Sequence, residues 1–451
     1  MIRLAVLQET AEALSNHLAL HAPLEAGAFC LLRQGRGTDG LRLLATHALL
    51  PEADAWELQG EGVLRPTARY ISAAISRAIT AQAGLLFVHS HPDPTFPSGL
   101  SSVDRSAFKA LARTLAPMLE GPFAAAVVHP EGWSGVLWSD GRLCPIERIM
   151  GVGRIIRFLS PVRQVEDSPL DSRQRDALGV IQDRLRPLTV AVVGCGGLGS
   201  PIAEQLARIG IAELLLIDHD NLDTPSNLRR VFGSTVADLR ATPPLPKVDV
   251  VGQHLDHLGL GVAIRRVNGD VRIEGVFRTL LDADVVLMGT DTHGSRAVVN
   301  DLASTYLLPV IDVGTRVGDR KGFLSGLVAE VRVLTPVTPC LWCRRTLDGD
   351  VIRSENLPEA ERRQLLREGY SVGRIGEPEP SVIALTVLGS GLATCAMLAL
   401  LAEDGEVVSH GYFVDGFFGD AHETKPKEPI PACRCRMNLG LGDTAAPPFI
   451  N

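Results

Sequence analysis

The glycine-rich stretch at residues 194–199 (GCGGLG) constrains the fold of this chain more than any other feature. The apolar run before it, 188–193, predicts a buried strand, and the periodicity after it, 198–209, predicts a helix. Glycines spaced in this way between a strand and a helix let backbone amides approach a phosphate at the helix N-terminus. A second strand, 212–217, then ends at Asp218, whose carboxylate is placed to hold a ribose. The stretch therefore predicts a nucleotide site, and NAD enzymes and ATP enzymes both remain open at this point.

The chain from Arg173 onwards alternates strand-like and helix-like segments. Further buried strands are predicted at 284–288 and 310–313, beyond the first strand–helix–strand unit. This alternation is typical of a parallel, doubly wound sheet with helices on both faces. We therefore expect an α/β protein with a Rossmann-like C-terminal domain.

Polar residues after the glycines distinguish the two kinds of nucleotide enzyme. They are Asp220, Asn227, Arg230, Lys247 and, at a predicted strand end, Asp291. Hydride transfer has no evident use for such groups at the phosphate end. Adenylation does, because cations neutralise the triphosphate and an aspartate binds Mg²⁺. The sequence therefore favours an ATP- and Mg²⁺-dependent adenylating enzyme over a dehydrogenase.

This half of the chain, from about Arg173 to Cys435, resembles the ThiF/MoeB/HesA-type adenylyltransferases, the superfamily of ubiquitin-activating enzymes. The nucleotide-binding residues that we expect are Gly194, Gly196, Gly197, Gly199, Asp218 and Asp220. The resemblance implies that Asn227, Arg230 and Lys247 contact the phosphates, and that Asp291 binds Mg²⁺. It also implies a homodimer in which Arg173 reaches the ATP of the partner subunit. Such enzymes attach AMP to the C-terminal glycine carboxylate of a ubiquitin-like protein.

Two histidines and an aspartate predict a metal site in the first part of the chain. His89 and His91 follow the buried-strand run 84–88, and Asp104 begins a helix predicted at 104–119. Residues two apart on a strand point to the same side, so both imidazoles can reach one ion. Two histidines and one carboxylate leave a position of Zn²⁺ open for water, as in catalytic zinc sites.

Glu25 and Ser101 complete this pattern. Glu25 is the candidate general base, and Ser101 is the candidate group that stabilises an oxyanion. A glutamate shortly before a glycine, then His-x-His-Pro, then Ser-x-x-Asp, resembles the JAMM (JAB/MPN-type) metalloproteases over roughly 1–150. The resemblance implies a zinc peptidase that cleaves after the C-terminal glycine of ubiquitin-like proteins. The alternative is a metal-free domain of this fold in which the histidines only pack.

Four of the eight cysteines form two close pairs, Cys340 with Cys343 and Cys433 with Cys435. They predict a structural zinc site with four thiolates, and the adenylyltransferases often have two such pairs there. The alternative is two pairs of ordinary thiols. No cysteine lies between Cys343 and Cys395, and Cys395 stands in an apolar run where a buried thiol is inert. We therefore expect adenylation without a thioester on this chain.

Charge and hydrophobicity limit the classes of partner that the sequence predicts. The formal net charge is −8 and no Lys/Arg run is present, which argues against nucleic acid. The first residues do not resemble a signal peptide, so we expect a cytoplasmic protein. The uncharged stretch 381–402 is long enough to span a bilayer. Its glycines and flanking acidic residues favour a buried core or dimer-interface helix over a membrane span, so we expect no membrane partner.

The 451 residues therefore predict a metalloprotease-like domain at 1–150, a linker at 151–172 and an adenylation domain at 173–451. The predicted function is trimming of a ubiquitin-like protein followed by ATP-dependent activation of its C-terminus. The acyl-adenylate would pass to a sulfur donor, to a separate conjugating enzyme or directly to an amine. Two settings stay open: a ubiquitin-like conjugation pathway, as in bacterial defence, and sulfur-carrier biosynthesis. A scaffold with inactive sites that only binds a ubiquitin-like partner is the non-enzymatic alternative.

Overall fold

A computed structural model describes every residue except 163–168, 321–322, 370–379, 403–410, 416–419, 424–427 and 449–451. The chain divides into two compact units. The first unit contains Met1–Arg163, Ser304–Leu307 and Asn438–Pro447, and the second contains the remainder. Compared with the expected second domain, 173–451, the second unit begins earlier, at Gln164, and lacks the two short segments that cluster with the first unit.

The first unit is built on one large mixed sheet. Its strands and helices are β1 (Ile2–Leu7), α1 (Gln8–Ala19), β2 (Gly27–Arg36), β3 (Leu41–Leu49), β4 (Trp56–Gly60), β5 (Val63–Pro66), α2 (Ala68–Thr80), β6 (Gly84–Ser90), α3 (Ser102–Leu115), β7 (Phe123–His129), β8 (Gly132–Ser139), β9 (Arg142–Ile146), β10 (Arg148–Val152) and β11 (Ile156–Phe158). Nine strands form the sheet in the order β11-β10-β1-β3-β2-β6-β7-β8-β9, and β4 and β5 form a separate hairpin. One apolar core packs α1 on one face of the sheet, and a second packs α2 and α3 on the other.

Strand β6 lies in the middle of this sheet, carries His89 and is followed directly by His91. It pairs antiparallel with β2, where Gly27 lies opposite His89, and parallel with β7. The β2 register brings Glu25, just before that strand, close to the end of β6. Helix α3 begins after Ser101, which forms a capping box with Asp104. The segment before β2, the end of β6 and the start of α3 therefore meet at the carboxyl end of β6.

Some local expectations differ from the observed elements. From the sequence we expect a helix at the beginning of the chain, but the structure has a strand there, β1, followed by helix α1. The reason is tertiary, since the apolar run of β1 lies between β10 and β3 as a buried parallel strand. Residues 151–152 and 156–158, expected in the linker, belong to β10 and β11 of the first sheet.

The second unit contains the predicted Rossmann-like sheet. Its elements are α4 (Ser172–Leu178), α5 (Val180–Leu185), β12 (Thr189–Val193), α6 (Gly199–Ile209), β13 (Glu213–Asp218), α7 (Val236–Leu239), α8 (Lys247–Leu258), β14 (Ala263–Asn268), α9 (Glu274–Leu280), β15 (Val285–Met288), α10 (His293–Thr305), β16 (Val310–Arg320), β17 (Phe323–Leu334), α11 (Gly349–Glu355), α12 (Glu359–Arg367), α13 (Ile383–Leu400), β18 (Gly411–Asp415), β19 (Asp420–Glu423) and α14 (Arg434–Met437). The strand order is β14-β13-β12-β15-β16-β17-β18-β19. The first five strands are parallel and the last three pairings are antiparallel. The order reverses between β12 and β15, the place where ligands bind in such sheets, and the expected mixed α/β fold is confirmed.

Among the described residues, α13 is the one helix long and apolar enough to cross a membrane by length and composition. It packs against β16, β17 and α6, and Leu385, Ala393 and Met397 on this side are buried. Half of its apolar window is buried. Cys395 lies on the other face and is exposed, so the expectation that its thiol is buried is wrong.

Candidate functional sites

The glycine-rich loop, residues 194–199, makes a tight turn between β12 and α6. Gly194 has a φ of +89°, a conformation that favours glycine. The amide of Cys195 donates a 2.6 Å hydrogen bond to Oδ2 of Asp218 at the end of β13. The loop and the candidate ribose-binding carboxylate are therefore held in one geometry, in front of the N-terminus of α6.

We expect Gly199→Ala to destabilise the second unit by about 1–3 kcal/mol, the usual range for overpacking. A Cβ at Gly199 would lie 1.6 Å from the carbonyl oxygen of Gly194. Gly196→Ala is the matched control for stability, because nothing lies within 4 Å of a Cβ built there. Thermal melting measures both variants, and equal melting temperatures would contradict this account of the loop.

A cavity of about 250 Å³ opens in the second unit at the ends of β12, β13 and β15. The predicted residues in its wall are Gly194, Gly196, Gly197, Asp218, Asp220, Asn227, Arg230, Lys247 and Asp291. Gly199 shapes the loop without lining the cavity, and Arg173 is exposed on α4, outside the lining. The structure therefore brings together the predicted nucleotide residues other than Arg173.

Opposite charges are paired along one side of this cavity. Lys247, the first residue of α8, donates a 2.6 Å hydrogen bond to Oδ2 of Asp220. Burial raises the pKa of Asp218, and the nearby Lys247 ammonium opposes that shift. Arg230 donates through Nη2 to Oδ1 of the buried Asn227 at 3.1 Å. Two cations are thus fixed beside the loop where a polyphosphate would lie.

The cavity residues fit ATP and Mg²⁺. In the described part of the chain, Nε of Arg230 and Oγ1 of Thr290 are buried without a hydrogen-bond partner. Phosphate and ribose oxygens are acceptors and donors that satisfy such groups. Asp291 is exposed in the wall, and no hydrogen bond of its carboxylate is found among the described residues. A free carboxylate beside a phosphate site is a typical Mg²⁺ ligand.

Sequence reasoning missed several wall residues, including Thr290, Ser295 and Thr386. Thr290 is next to Asp291 after the end of β15, and this position in the sequence could have predicted that it lines the cavity. Its carbonyl accepts a 3.1 Å hydrogen bond from Nε of Arg296, whose guanidinium also lies 3.5 Å from the fully buried Asp312. Thr386 comes from α13, and nothing local in the sequence links that helix to the glycine loop.

The first unit holds a compact cluster of His89, His91 and Asp104 at the end of β6. Nε2 of His89 lies 3.7 Å from Oδ1 of Asp104, and Nε2 of His91 lies 3.4 Å from Oδ2. Burial opposes ionisation of Asp104, but the two neighbouring imidazoles of His89 and His91 and the Ser101 amide outweigh it and hold the pKa of this carboxyl well below its usual range. The carboxylate is therefore ionised and ready to bind a cation.

These three side chains fit Zn²⁺. Nitrogen and oxygen ligands of a tetrahedral zinc ion lie about 3.4 Å apart, close to the observed distances. Both ring nitrogens of His89 are buried without a hydrogen-bond partner among the described residues, a cost that a bound metal ion relieves at one of them. Nδ1 of His91 lies 2.8 Å from the carbonyl oxygen of Pro97, an arrangement that fixes the ring and aims Nε2 at the cluster.

Glu25 lies beside the cluster. Its Oε1 is 3.8 Å from Nε2 of His91, and the residue is 4% exposed. The β4–β5 hairpin holds its backbone, since the Glu25 amide donates to the Gly60 carbonyl and the Gln59 side chain donates to the Glu25 carbonyl. Burial raises the pKa of Glu25, and the two nearby imidazoles oppose the shift. A carboxylate of raised pKa next to a metal site is suited to accept a proton.

Ser101 has a structural role in the observed geometry. Its hydroxyl accepts a 3.2 Å hydrogen bond from the Asp104 amide, and its amide donates to Oδ2 of Asp104 at 2.7 Å. The residue therefore caps α3 and orients Asp104. The oxyanion role expected from the sequence stays a prediction.

The four paired cysteines converge in the second unit. The Sγ–Sγ distances are 3.7 Å for Cys340–Cys343, 3.6 Å for Cys340–Cys433 and 3.7 Å for Cys343–Cys435. Thiolates around a tetrahedral zinc ion lie about 3.8 Å apart. Hydrogen bonding from Cys435 lowers the pKa of Cys340 to about 5, and the Ile430 amide donates to Sγ of Cys343 at 3.3 Å. The cluster therefore fits a structural zinc ion.

We expect Cys340→Ser to remove one zinc equivalent and to destabilise the second unit by more than about 4 kcal/mol, as loss of a structural metal does. Metal analysis and thermal melting measure the two effects. Cys144→Ser, at a partly exposed position in the first unit, is the control and should keep both values. An unchanged zinc content in the Cys340 variant would favour ordinary thiols.

A parallel sheet with a glycine loop, a ribose-side carboxylate and a polar cavity defines a nucleotide-binding domain of the Rossmann type. A model of the ThiF family matches residues 167–435, which is more than half of the chain. The chain therefore belongs to the ThiF family.

Relatives with known names are an activating enzyme and an adenylyltransferase. The SAMP-activating enzyme E1 of Haloferax volcanii is 27% identical over 252 residues, which are 56% of this chain and 81% of that protein. The sulfur carrier protein ThiS adenylyltransferase of Bacillus subtilis is 29% identical over 162 residues, 36% of this chain and 45% of that protein. Among solved structures, E. coli MccB with succinimide is 18% identical, with a TM-score of 0.45 over 60% of this chain and 75% of that chain.

Proposed function

We propose that the second unit catalyses ATP-dependent adenylation of the C-terminal carboxylate of a ubiquitin-like or sulfur-carrier protein. The observation that carries this proposal is the convergence of Arg230, Lys247 and Asp291 on one cavity beside the glycine loop, with no hydrogen bond to the Asp291 carboxylate among the described residues. Relatives named for activating SAMP proteins and for adenylating ThiS support the same class of reaction.

In this reaction the residues of the cavity have separate tasks. Asp218 holds the ribose, and Arg230 and Lys247 neutralise the triphosphate. A carboxylate oxygen of the substrate bonds to the α-phosphorus while the bond to the β-phosphate breaks, so pyrophosphate leaves and an acyl-adenylate remains. Mg²⁺ bound at Asp291 supplies charge neutralisation on the phosphates.

Transfer from the adenylate would use an acceptor outside this chain. Cys195 is fully buried, and burial raises its pKa well above the usual value, which makes it a poor nucleophile. Cys395 lies on the exposed face of α13 and is not part of the cavity wall. These positions support transfer to a separate sulfur donor, a conjugating enzyme or an amine.

A homodimer is part of the proposal. Arg173 is exposed on α4 and does not line the cavity of its own chain, which agrees with a role at the cavity of a partner subunit. Mixing Arg173→Ala with Asp291→Asn chains tests this role. Recovery of activity in mixed dimers supports it, and inactivity of every mixture contradicts it.

We further propose that the first unit is a zinc peptidase of the JAMM type that trims the same class of protein. The observation behind it is the convergence of His89, His91 and Asp104 within 4.8 Å of one another, with both ring nitrogens of His89 lacking a hydrogen-bond partner among the described residues. Zinc bound there supplies a Lewis acid that lowers the pKa of water towards neutrality. Glu25 accepts the proton of the attacking water and later returns it to the leaving amine.

Intact-mass spectrometry tests both activities together. A ubiquitin-like protein with residues beyond its Gly-Gly is incubated with the enzyme, Zn²⁺ and Mg-ATP. Loss of the tail followed by an AMP-sized gain supports the proposal, and a later isopeptide or thiocarboxylate product separates conjugation from sulfur transfer. Unchanged masses across a panel of such proteins, with zinc and nucleotide bound, would favour the scaffold.

A further inference from the structure

A carboxylate from a distant part of the chain closes the N-terminus of α10. Glu355, the last residue of α11, accepts hydrogen bonds from the amides of His293 at 2.9 Å and Gly294 at 2.7 Å. Each carboxylate oxygen accepts one of these two hydrogen bonds. Asp291 lies two residues before His293, so this contact adjoins the proposed Mg²⁺ ligand.

Glu355 completes the hydrogen bonding of the first turn of α10. The first amides of a helix have no partner within the helix. Here the Ser295 amide donates to Oγ1 of Thr292 at 3.3 Å, and the Arg296 amide donates to the Thr292 carbonyl at 3.3 Å. The two amides left over are those that Glu355 satisfies. Its negative charge is also favourable at the positive end of the helix dipole.

The backbone before Asp291 is fixed as well. Nε of Arg296 donates to the carbonyl of Thr290 at 3.1 Å. Asp291 therefore lies between two tethered points, Thr290 on one side and the first turn of α10 on the other. Its own carboxylate faces the cavity and has no hydrogen bond among the described residues. The backbone is restrained while the side chain is left available for a ligand.

Helix α11 is attached at both ends. At its beginning the Asp348 amide donates to Nδ1 of His293 at 3.1 Å. Just past its end, Oδ1 of Asn356 accepts a 3.1 Å hydrogen bond from Arg272, which follows the cavity residue Val271. Glu355 is therefore held in place by a helix that has hydrogen bonds at both ends.

We propose that Glu355 is a positioning residue for Asp291. It fixes the first turn of α10 so that the Asp291 carboxylate is set for the Mg²⁺ of the ATP complex. The proposal rests on the function proposed above for the second unit. It implies that loss of the Glu355 charge weakens the binding of Mg²⁺ far more than the binding of the nucleotide itself.

The test compares Glu355→Gln with Glu361→Gln, the same chemical change at an exposed position of α12. Affinity for a fluorescent ATP analogue is measured in the full-length chain with EDTA and across a Mg²⁺ titration. In Glu355→Gln we expect the apparent Mg²⁺ dissociation constant to rise about tenfold, or about 1.4 kcal/mol. We expect the affinity in EDTA to stay within about twofold, and Glu361→Gln to match the wild-type chain.

The double variant Glu355→Gln/Asp291→Asn separates positioning from general stabilisation. If Glu355 acts through Asp291, its substitution has no further effect on the Mg²⁺ dependence once Asp291 is replaced. Additive effects, or a lower melting temperature with wild-type Mg²⁺ affinity, would overturn the inference and leave the proposed function intact. A wild-type chain whose nucleotide binding ignores Mg²⁺ would overturn both.

Discussion

Asp291→Asn is expected to reduce ATP–pyrophosphate exchange by about 10²–10³-fold, the usual cost of removing one electrostatic group from a preorganised site. Asparagine keeps the shape of the side chain and removes the charge that Mg²⁺ requires. Because Asp291 is exposed and has no hydrogen bond among the described residues, the melting temperature should not change. The assay uses saturating ATP and substrate protein, with melting followed in parallel.

Asp140→Asn is the matched control, at an exposed turn of the first unit. It should leave the exchange rate at the wild-type value. Wild-type exchange in the Asp291 variant would show that this carboxylate is not the Mg²⁺ ligand. A large loss of stability in that variant would instead indicate a structural role.

Glu25→Gln is expected to reduce peptidase activity by about 10²–10⁴-fold, the contribution of a general base. Its zinc content should stay unchanged, because Glu25 lies outside the cluster of His89, His91 and Asp104 and is proposed as the proton acceptor. His89→Ala should lose both the activity and one zinc equivalent. Cleavage of a tailed ubiquitin-like protein and metal analysis measure the two quantities.

The two variants together separate the base from the metal. Glu120→Gln, at an exposed position of the first unit, is the control and should behave as the wild-type chain. Zinc loss from Glu25→Gln would move Glu25 into the ligand set. Full zinc content in His89→Ala, with the Cys cluster intact, would exclude the proposed metal site.

Where function depends on short-range spacing, the sequence was informative. The glycines of the 194–199 loop, Asp218 and Asp291 stand at strand ends, and parallel strands bring their carboxyl ends to one edge. The structure places these residues around one cavity. His89 and His91 are likewise two apart at the end of β6 and lie in one cluster with Asp104. Local pattern and tertiary position agree in these cases.

Long-range contacts left no comparable signal. Glu355 is 61 or 62 residues away from the amides that donate hydrogen bonds to it. No sequence pattern around Glu355 predicts that it caps α10. A short apolar run such as that of β1 suits a helix or a strand, and only its pairing with β3 and β10 decides between them. The exposure of Cys395 also depended on which face of α13 meets the sheet.

The first unit is not continuous in sequence, and this affects how its proposed activity can be tested. Asn438–Pro447 belongs to it, and Oδ2 of Asp443 accepts a 2.8 Å hydrogen bond from the Arg36 amide at the end of β2. Oδ1 of the same residue accepts a 3.2 Å hydrogen bond from the Tyr306 hydroxyl. A fragment cut at the linker would lack these partners and leave the end of β2 uncovered. Point substitutions in the full-length chain, rather than truncation, are therefore the way to study either proposed site alone.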